Sequence, residues 1–168
     1  MGSTEVFETE LAQLLPRLRR FAHALSRNRA DADDLAQATI ERALRSRAQW
    51  QAGTRLDSWA YRIMRNLWID MVRARGRKER HEAPEDEARQ IGEDPRDAMD
   101  AAMELARAMS AMERLPDEQR EIVALILIEG FGYREVAEML DLPVGTVSSR
   151  LVRGRTALLH MLGGAADG

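Results

Sequence analysis

Residues 133–158 read YREVAEMLDLPVGTVSSRLVRGRTAL, and this stretch predicts a helix, a sharp turn and a second helix. The first helix places Val136, Ala137 and Leu140 on one face. The triplet Asp141, Leu142 and Pro143 breaks it, and a new helix from about Val144 turns Val147, Leu151 and Leu158 inward. Two short helices therefore share one small core. A bulky residue at Ala137 would wedge apart helices that cross steeply over so short a turn, so alanine there favours a true helix-turn-helix. Asp141 occupies a turn position where glycine is commoner, and a short polar side chain tolerates the left-handed backbone such a turn needs. The arc of the second helix opposite its apolar stripe carries Thr146, Ser149, Arg150, Arg153 and Thr156, donors suited to phosphates and base edges. A helix of that composition fits the major groove of DNA. Many surface helices also carry arginines, so the rest of the chain has to support that reading.

A chain of 168 residues with 45% hydrophobic content has room for one domain or two small ones. Its net charge of −3 would argue against a nucleic-acid ligand if the charge were evenly spread. It is segregated instead. Arg62, Arg65, Arg73, Arg75, Arg77, Lys78 and Arg80 form a basic run, residues 82–104 are rich in Glu and Asp, and the turn-helix segment is basic again. The acidic stretch cancels two basic surfaces. Absence of cysteine excludes disulfides and thiolate metal sites and fits a reducing compartment, so a cytoplasmic location is expected. No apolar run approaches a membrane span and no charged leader precedes an apolar segment, so membrane insertion is not expected.

Apolar residues recur at three and four positions and nothing alternates over a strand's length, which predicts an all-α chain. A first helix is expected over about 6–27, with Pro16 as an interruption. A second follows Asp31 as its N-cap, buries Leu35, Ala36, Thr39, Ile40 and Ala43, and ends near Arg47. A third, capped by Asp57, packs Ala60, Ile63, Met64, Leu67 and Met71 inward. From Gly76 to about Asp97 the chain holds Pro84, Gly92, Pro95 and many acids, the composition of a linker. Helices are expected again over about 98–115 and 116–129, where EIVALILIE at 121–129 reads as buried helix, and then in the turn-helix pair. The organisation expected is two small helical domains joined by an acidic flexible linker, with boundaries at 1–78, 79–104 and 105–163.

The third helix carries Trp59, Arg62, Asn66, Asp70 and Arg73 on one flank beside its apolar stripe. An indole, an amide and guanidinium groups side by side suit stacking on an unpaired base, hydrogen bonding to its edge and neutralising phosphates. Single-stranded or melted DNA is a coherent ligand. The alternative is a Trp59 packed into the core and an intrahelical Asp70–Arg73 ion pair, while Tyr61 and Trp68 on the other flank read as core. Asp33 and Asp34, with Gln37 and Glu41, form an outward acidic face that suits the helix dipole and a protein contact. His23, His81 and His160 stand singly, and no glycine-rich phosphate loop, nucleophile elbow or metal signature occurs. No enzyme activity, cofactor, metal or small-molecule substrate is therefore expected.

Three blocks now stand in order: ADADDLAQATIERAL, then GTRLDSWAYRIMRNLWIDMVRARGRK, then, past the acidic gap, LPDEQREIVALILIEGFGYREVAEMLDLPVGTVSSRLVRGRTAL. Together they cover about half the chain, and in composition and order the sequence resembles a bacterial extracytoplasmic-function (ECF) sigma factor of the sigma-70 superfamily. The resemblance implies a region 2 and a region 4 that bind core RNA polymerase and direct promoter-specific initiation. It implies that Asp33, Asp34, Leu35, Gln37 and Thr39 lie in the helix that docks on the polymerase clamp. By the same resemblance Trp59, Arg62, Asn66, Asp70 and Arg73 would capture and melt the minus-ten element, with the loop 49–55 approaching a flipped base. Thr146, Ser148, Ser149, Arg150 and Arg153 would read the minus-thirty-five element in promoter DNA, Ser148 standing where many relatives carry Lys or Arg. In the docking helix, Ala38 and Ile40 replace residues that are often acidic and Phe. An anti-sigma factor, placed between or around the two domains, is an implied partner. A stand-alone helix-turn-helix regulator would leave the third-helix cluster unexplained, and a pure protein-interaction module would leave both basic surfaces as solvated faces.

Overall fold

The computed structural model describes residues 2–79 and 99–163, and every regular element among them is helical. In chain order these are α1 (Ser3–Gln13), α2 (Leu15–Ser26), α3 (Arg29–Arg45), a short 3-10 turn (Arg47–Gln49), α4 (Leu56–Glu79) and α5 (Met99–Arg114). They continue with α6 (Asp117–Val123), a π-helical turn (Ala124–Ile128), α7 (Tyr133–Leu140) and α8 (Val144–Gly163). Most of the acidic segment read as a linker lies outside the described residues. None of the described helices is long and apolar enough to cross a membrane.

The helices begin and end where local chemistry dictates, in three places not where the sequence pattern suggests. The expected first helix is two, because Pro16 lies in the opening turn of α2, where its missing N–H is harmless, and disrupts any continuation from α1. Helix α3 starts before Asp31: Asn28, extended at φ −139° and ψ 151°, is its N-cap, and the Asn28 side-chain oxygen accepts the Asp31 N–H at 2.8 Å. Asp31 lies within the first turn and holds Arg75 of α4. Helix α4 likewise starts at Leu56, ahead of Asp57, whose Oδ1 accepts the Ser58 N–H at 2.8 Å from within the first turn. The EIVALILIE stretch is buried helix as expected, but α6 widens at Val123 into a π turn in which the Glu129 N–H reaches the Ala124 carbonyl at 2.9 Å.

Helices α1–α4 form one unit and α5–α8 a second. Leu18, Phe21 and Leu25 of α2, Leu35 of α3, and Tyr61 and Met64 of α4 fill the first interior. Leu115, Ile122, Leu125, Val136, Leu140, Val147 and Leu151 fill the second, and the two interiors merge into one apolar cluster. Tyr61 is the bridge: its buried ring stands 4.9 Å from the Phe21 ring on one side and 5.3 Å from the Phe131 ring on the other. A smaller cluster of Phe7, Leu11, Ala43 and Leu56 anchors α1 and seats Trp50 and Trp59.

Candidate nucleic-acid and polymerase interface

Helices α7 and α8 meet at Asp141, which adopts the left-handed conformation (φ 53°, ψ 51°) that ends α7. The Gly132 N–H donates to Glu135 Oε2 at 2.9 Å and fixes the start of α7. Val147, Leu151 and Gly154 of α8 are buried, and a methyl group built on Gly154 would lie 2.8 Å from Val123 Cγ2. That close approach of α6 seats α8 and leaves its far side open. Ser149, Arg153 and Thr156 are exposed there, Thr146 and Ser148 half-buried beside them. Arg150 differs from the expectation, since its side chain is only 24% exposed and pairs with Glu118 of α6 at 3.4 Å. Ser149 Oγ donates weakly to the Thr146 carbonyl at 3.3 Å, a bond a DNA contact could replace.

On α4 the structure separates the flank residues. Trp59, Asn66 and Asp70 line a groove together with Ile63 and Leu67 of the same helix, Arg42 and Ser46 at the end of α3, and Gln49 of the 3-10 turn. Arg42 and Ser46 were invisible to the sequence reading, because only the α3–α4 packing brings them beside α4. Trp59 packs its ring edge-on to Phe7 at 6.1 Å, and its side chain stays half-exposed at the groove. Arg73 is exposed farther along α4, whereas Arg62 turns to the other unit and donates to the Glu138 carbonyl of α7 at 3.1 Å. The basic run is partly spent on structure, since Arg65 pairs with Glu121 at 2.7 Å and Arg75 with Asp31. The loop 49–55 starts from Trp50, whose ring lies 5.4 Å from Phe7, and then exposes its tip around Gly53 at φ +89°.

The acidic face of α3 presents Asp33, Asp34 and Gln37 to solvent, and Gln37 leans on Glu41 at 3.4 Å. Leu35 and Thr39 point the other way. Both are fully buried, and Thr39 Oγ1 donates to the Leu35 carbonyl at 2.7 Å, so these two hold the helix on the core beneath the exposed acids. No cluster of three or more His, Asp or Glu with metal-site geometry occurs among the described residues.

The electrostatics of the seam are strongly organised. Burial alone would raise the Glu129 carboxyl, but hydrogen bonds from Arg20, Tyr61 and Arg17 outweigh it and hold the group below the usual carboxylate range. Within the first unit, Arg75 holds Asp31 low, with burial opposing. Glu121 goes the other way, pushed up by burial that Arg65 only partly offsets. Burial and the neighbouring Glu129 push the Tyr61 phenol far above its ordinary value, which keeps it a proton donor.

Among the described residues, an all-helical fold with an exposed polar helix after a tight turn, and a second polar groove on a separate helical unit, has the architecture of a two-part DNA-binding protein. Residues 11–78 match the family model for Sigma-70 region 2 and residues 105–158 that for Sigma-70, region 4. The chain belongs to the sigma-70 family. Its relatives place it in the ECF group: it is 35% identical to the ECF RNA polymerase sigma factor EcfG of Rhodopseudomonas palustris over 96% of this chain and 88% of that protein. It is 42% identical to the ECF RNA polymerase sigma factor SigE of Mycolicibacterium smegmatis over 87% of this chain, and there it spans only 57% of the relative's length. Among solved structures it is similar to the sigma factor RpoE of Bartonella quintana in complex with the anti-sigma factor NepR. That match has a TM-score of 0.83, 31% identity and coverage of 95% of this chain and 98% of the other.

Proposed function

We propose that the chain is an alternative sigma factor that binds core RNA polymerase in the cytoplasm and directs initiation at its own class of promoters. The α8 surface carries the reading: Ser149 and Arg153 stand exposed on a helix that Gly154 seats against α6, the geometry a major-groove reader needs. Thr146, Ser148 and Arg150 complete the minus-thirty-five surface, with Arg150 leaving Glu118 for a phosphate or base. Trp59, Asn66 and Asp70 receive the minus-ten element in the α3–α4 groove, Arg62 and Arg73 flank it, and Arg42 is added to this set. Asp33, Asp34 and Gln37 make the polymerase contact, and Leu35 and Thr39 support them from below. The division into 1–78, a connector 79–104 and 105–163 follows these roles, with α5 starting inside the connector at Met99. The solved relatives with NepR and with the cytosolic domain of CnrY support an anti-sigma factor as regulator. Multi-round transcription on fragmented genomic DNA of the native host, with core polymerase plus or minus this chain, tests the proposal. New start sites sharing two spaced elements are expected; no new starts, together with no co-purification with core, would refute it.

A further inference from the structure

Helix α5 has two apolar sides and uses one of them. Ala111 is buried and Met112 packs on the core cluster, where α5 lies against α8. At about 100° per residue, Met99, Ala102, Met103, Ala106 and Met109 fall together on the opposite side. All five are exposed, the three methionines at 43, 49 and 42%. A single surface methionine is ordinary. An apolar stripe running about three turns, left open by every described residue, marks a docking face. Methionine suits such a face, because its unbranched thioether chain adapts to the shape of whatever covers it.

The charges beside the stripe select its occupant. Asp100, Glu104, Arg107 and Arg114 lie along one edge of it, the acids toward the start of the helix and the arginines toward its end. All four are exposed, and none has an ion pair among the described residues. That order suits the dipole of α5 itself. It also makes the edge complementary to a second copy of the same helix run in the opposite direction. In an antiparallel pair each edge meets its own counterpart, so acids at one end face arginines at the other; a parallel pair would set this edge against the opposite one. With a two-fold axis at Ala106, Met103 faces Met109 of the second copy, Asp100 comes near Arg114 and Glu104 near Arg107. The small side chain at the axis permits close approach of the two helices.

We propose that the open face of α5 is a self-association surface, on which two copies of the chain pair antiparallel, α5 on α5, about an axis at Ala106. Each contact is then made twice, as a two-fold interface requires. The pairing does not depend on the sigma reading. A helix of 16 residues is about 24 Å long, and two of them cover less than the roughly 1,600 Å² of a standard interface. The dimer is therefore weak, forming in the micromolar range and loosening as salt screens the edge charges.

Sedimentation equilibrium of the full chain across about 1 to 200 µM is expected to show a mass rising from one chain toward two. Ala106→Glu sets two carboxylates against each other at the axis and is expected to weaken the dimer by about tenfold or more. Asp100→Arg and Arg114→Asp are each expected to weaken it by about threefold or more, and the two together to restore it. Every altered residue is exposed, and circular dichroism checks that helicity is kept. The chain has no cysteine, so Ala106→Cys is expected to give a disulfide-linked dimer under mild oxidation, faster than Leu105→Cys at a more exposed position off the stripe. A single-chain mass over the whole range overturns the pairing and leaves the face to a different protein. A dimer that Ala106→Glu leaves unchanged, or equal crosslinking at 105 and 106, overturns its assignment to α5.

Discussion

Two glycines inside helices make opposite predictions for the same substitution. Gly76 of α4 and Gly154 of α8 both have ordinary negative φ, and alanine is the better helix former by about 1 kcal/mol. At Gly76 nothing lies within 4 Å of an added Cβ, so Gly76→Ala should keep most of that gain. At Gly154 the added Cβ meets Val123 Cγ2 at 2.8 Å, with Gln119 Cβ at 3.3 Å and the Gln119 carbonyl at 3.5 Å behind it. Carbon atoms prefer about 3.5–4.0 Å, and a β-branched valine in a helix has essentially one rotamer, so Val123 cannot swing aside. Overpacking of this kind costs about 1–3 kcal/mol, which offsets the propensity gain and leaves Gly154→Ala about 1 kcal/mol less stable. For a chain of this length that is a fall of about 2–4 °C in melting temperature. Thermal and urea unfolding of both variants beside the unaltered chain measures the difference. A melting temperature that rises in both would refute the close approach of α6 and α8, and with it the seating proposed for the recognition helix.

Other consequences are local. Asn28→Ala removes the cap that receives the Asp31 N–H and should cost about 1 kcal/mol in urea unfolding, whereas Asn28→Ser should recover most of it. Asp141→Gly relieves a left-handed non-glycine residue at φ 53° and should stabilise by about 0.5 kcal/mol, the turn geometry outweighing the extra freedom of the unfolded chain. Glu121, raised by burial, works the other way, but Glu129, Asp31 and Asp57 are held below their ordinary values when folded, so at these three groups the folded chain binds protons less readily than the unfolded one. Their contribution is complete above the unfolded carboxylate range of about 4 and is lost as pH falls through the folded values, so stability should drop steeply on acidification below about pH 4. A melting temperature flat from pH 6 to pH 3 would contradict these pairings. Arg153→Ala should weaken transcription from promoters with a good upstream element by about 1–3 kcal/mol if it contacts a base, and equal activity on matched and scrambled elements would remove it from the site.

The helix-turn-helix was legible because its determinants are local: a polar αL turn residue, a proline three positions before Thr146, and apolar spacing within twenty-six residues. The same holds for the all-helical class, the split between a basic flank on α4 and an acidic face on α3, and the burial of Leu35, Thr39 and Tyr61. What was misread had a distant partner or a backbone choice made by a neighbour. Asp31 looks like a cap in isolation, yet Asn28 caps the helix and Asp31 serves Arg75, 44 residues away. The stretch at 121–129 reads as plain buried helix, and no local signal marks the π turn that delivers Glu129 to the seam.

The sequence alone thus determined the elements, their amphipathic faces and the residue types available to DNA, since propensity, capping and periodicity act over a few positions. Tertiary structure decided which charged groups remain for partners and which are consumed. Arg62, Arg65, Arg75 and Arg120 look equivalent in a string of letters, and only packing turns three of them onto the other helices and buries the fourth among carbonyls. A charge finds its partner through space, and distance along the chain carries no information about that.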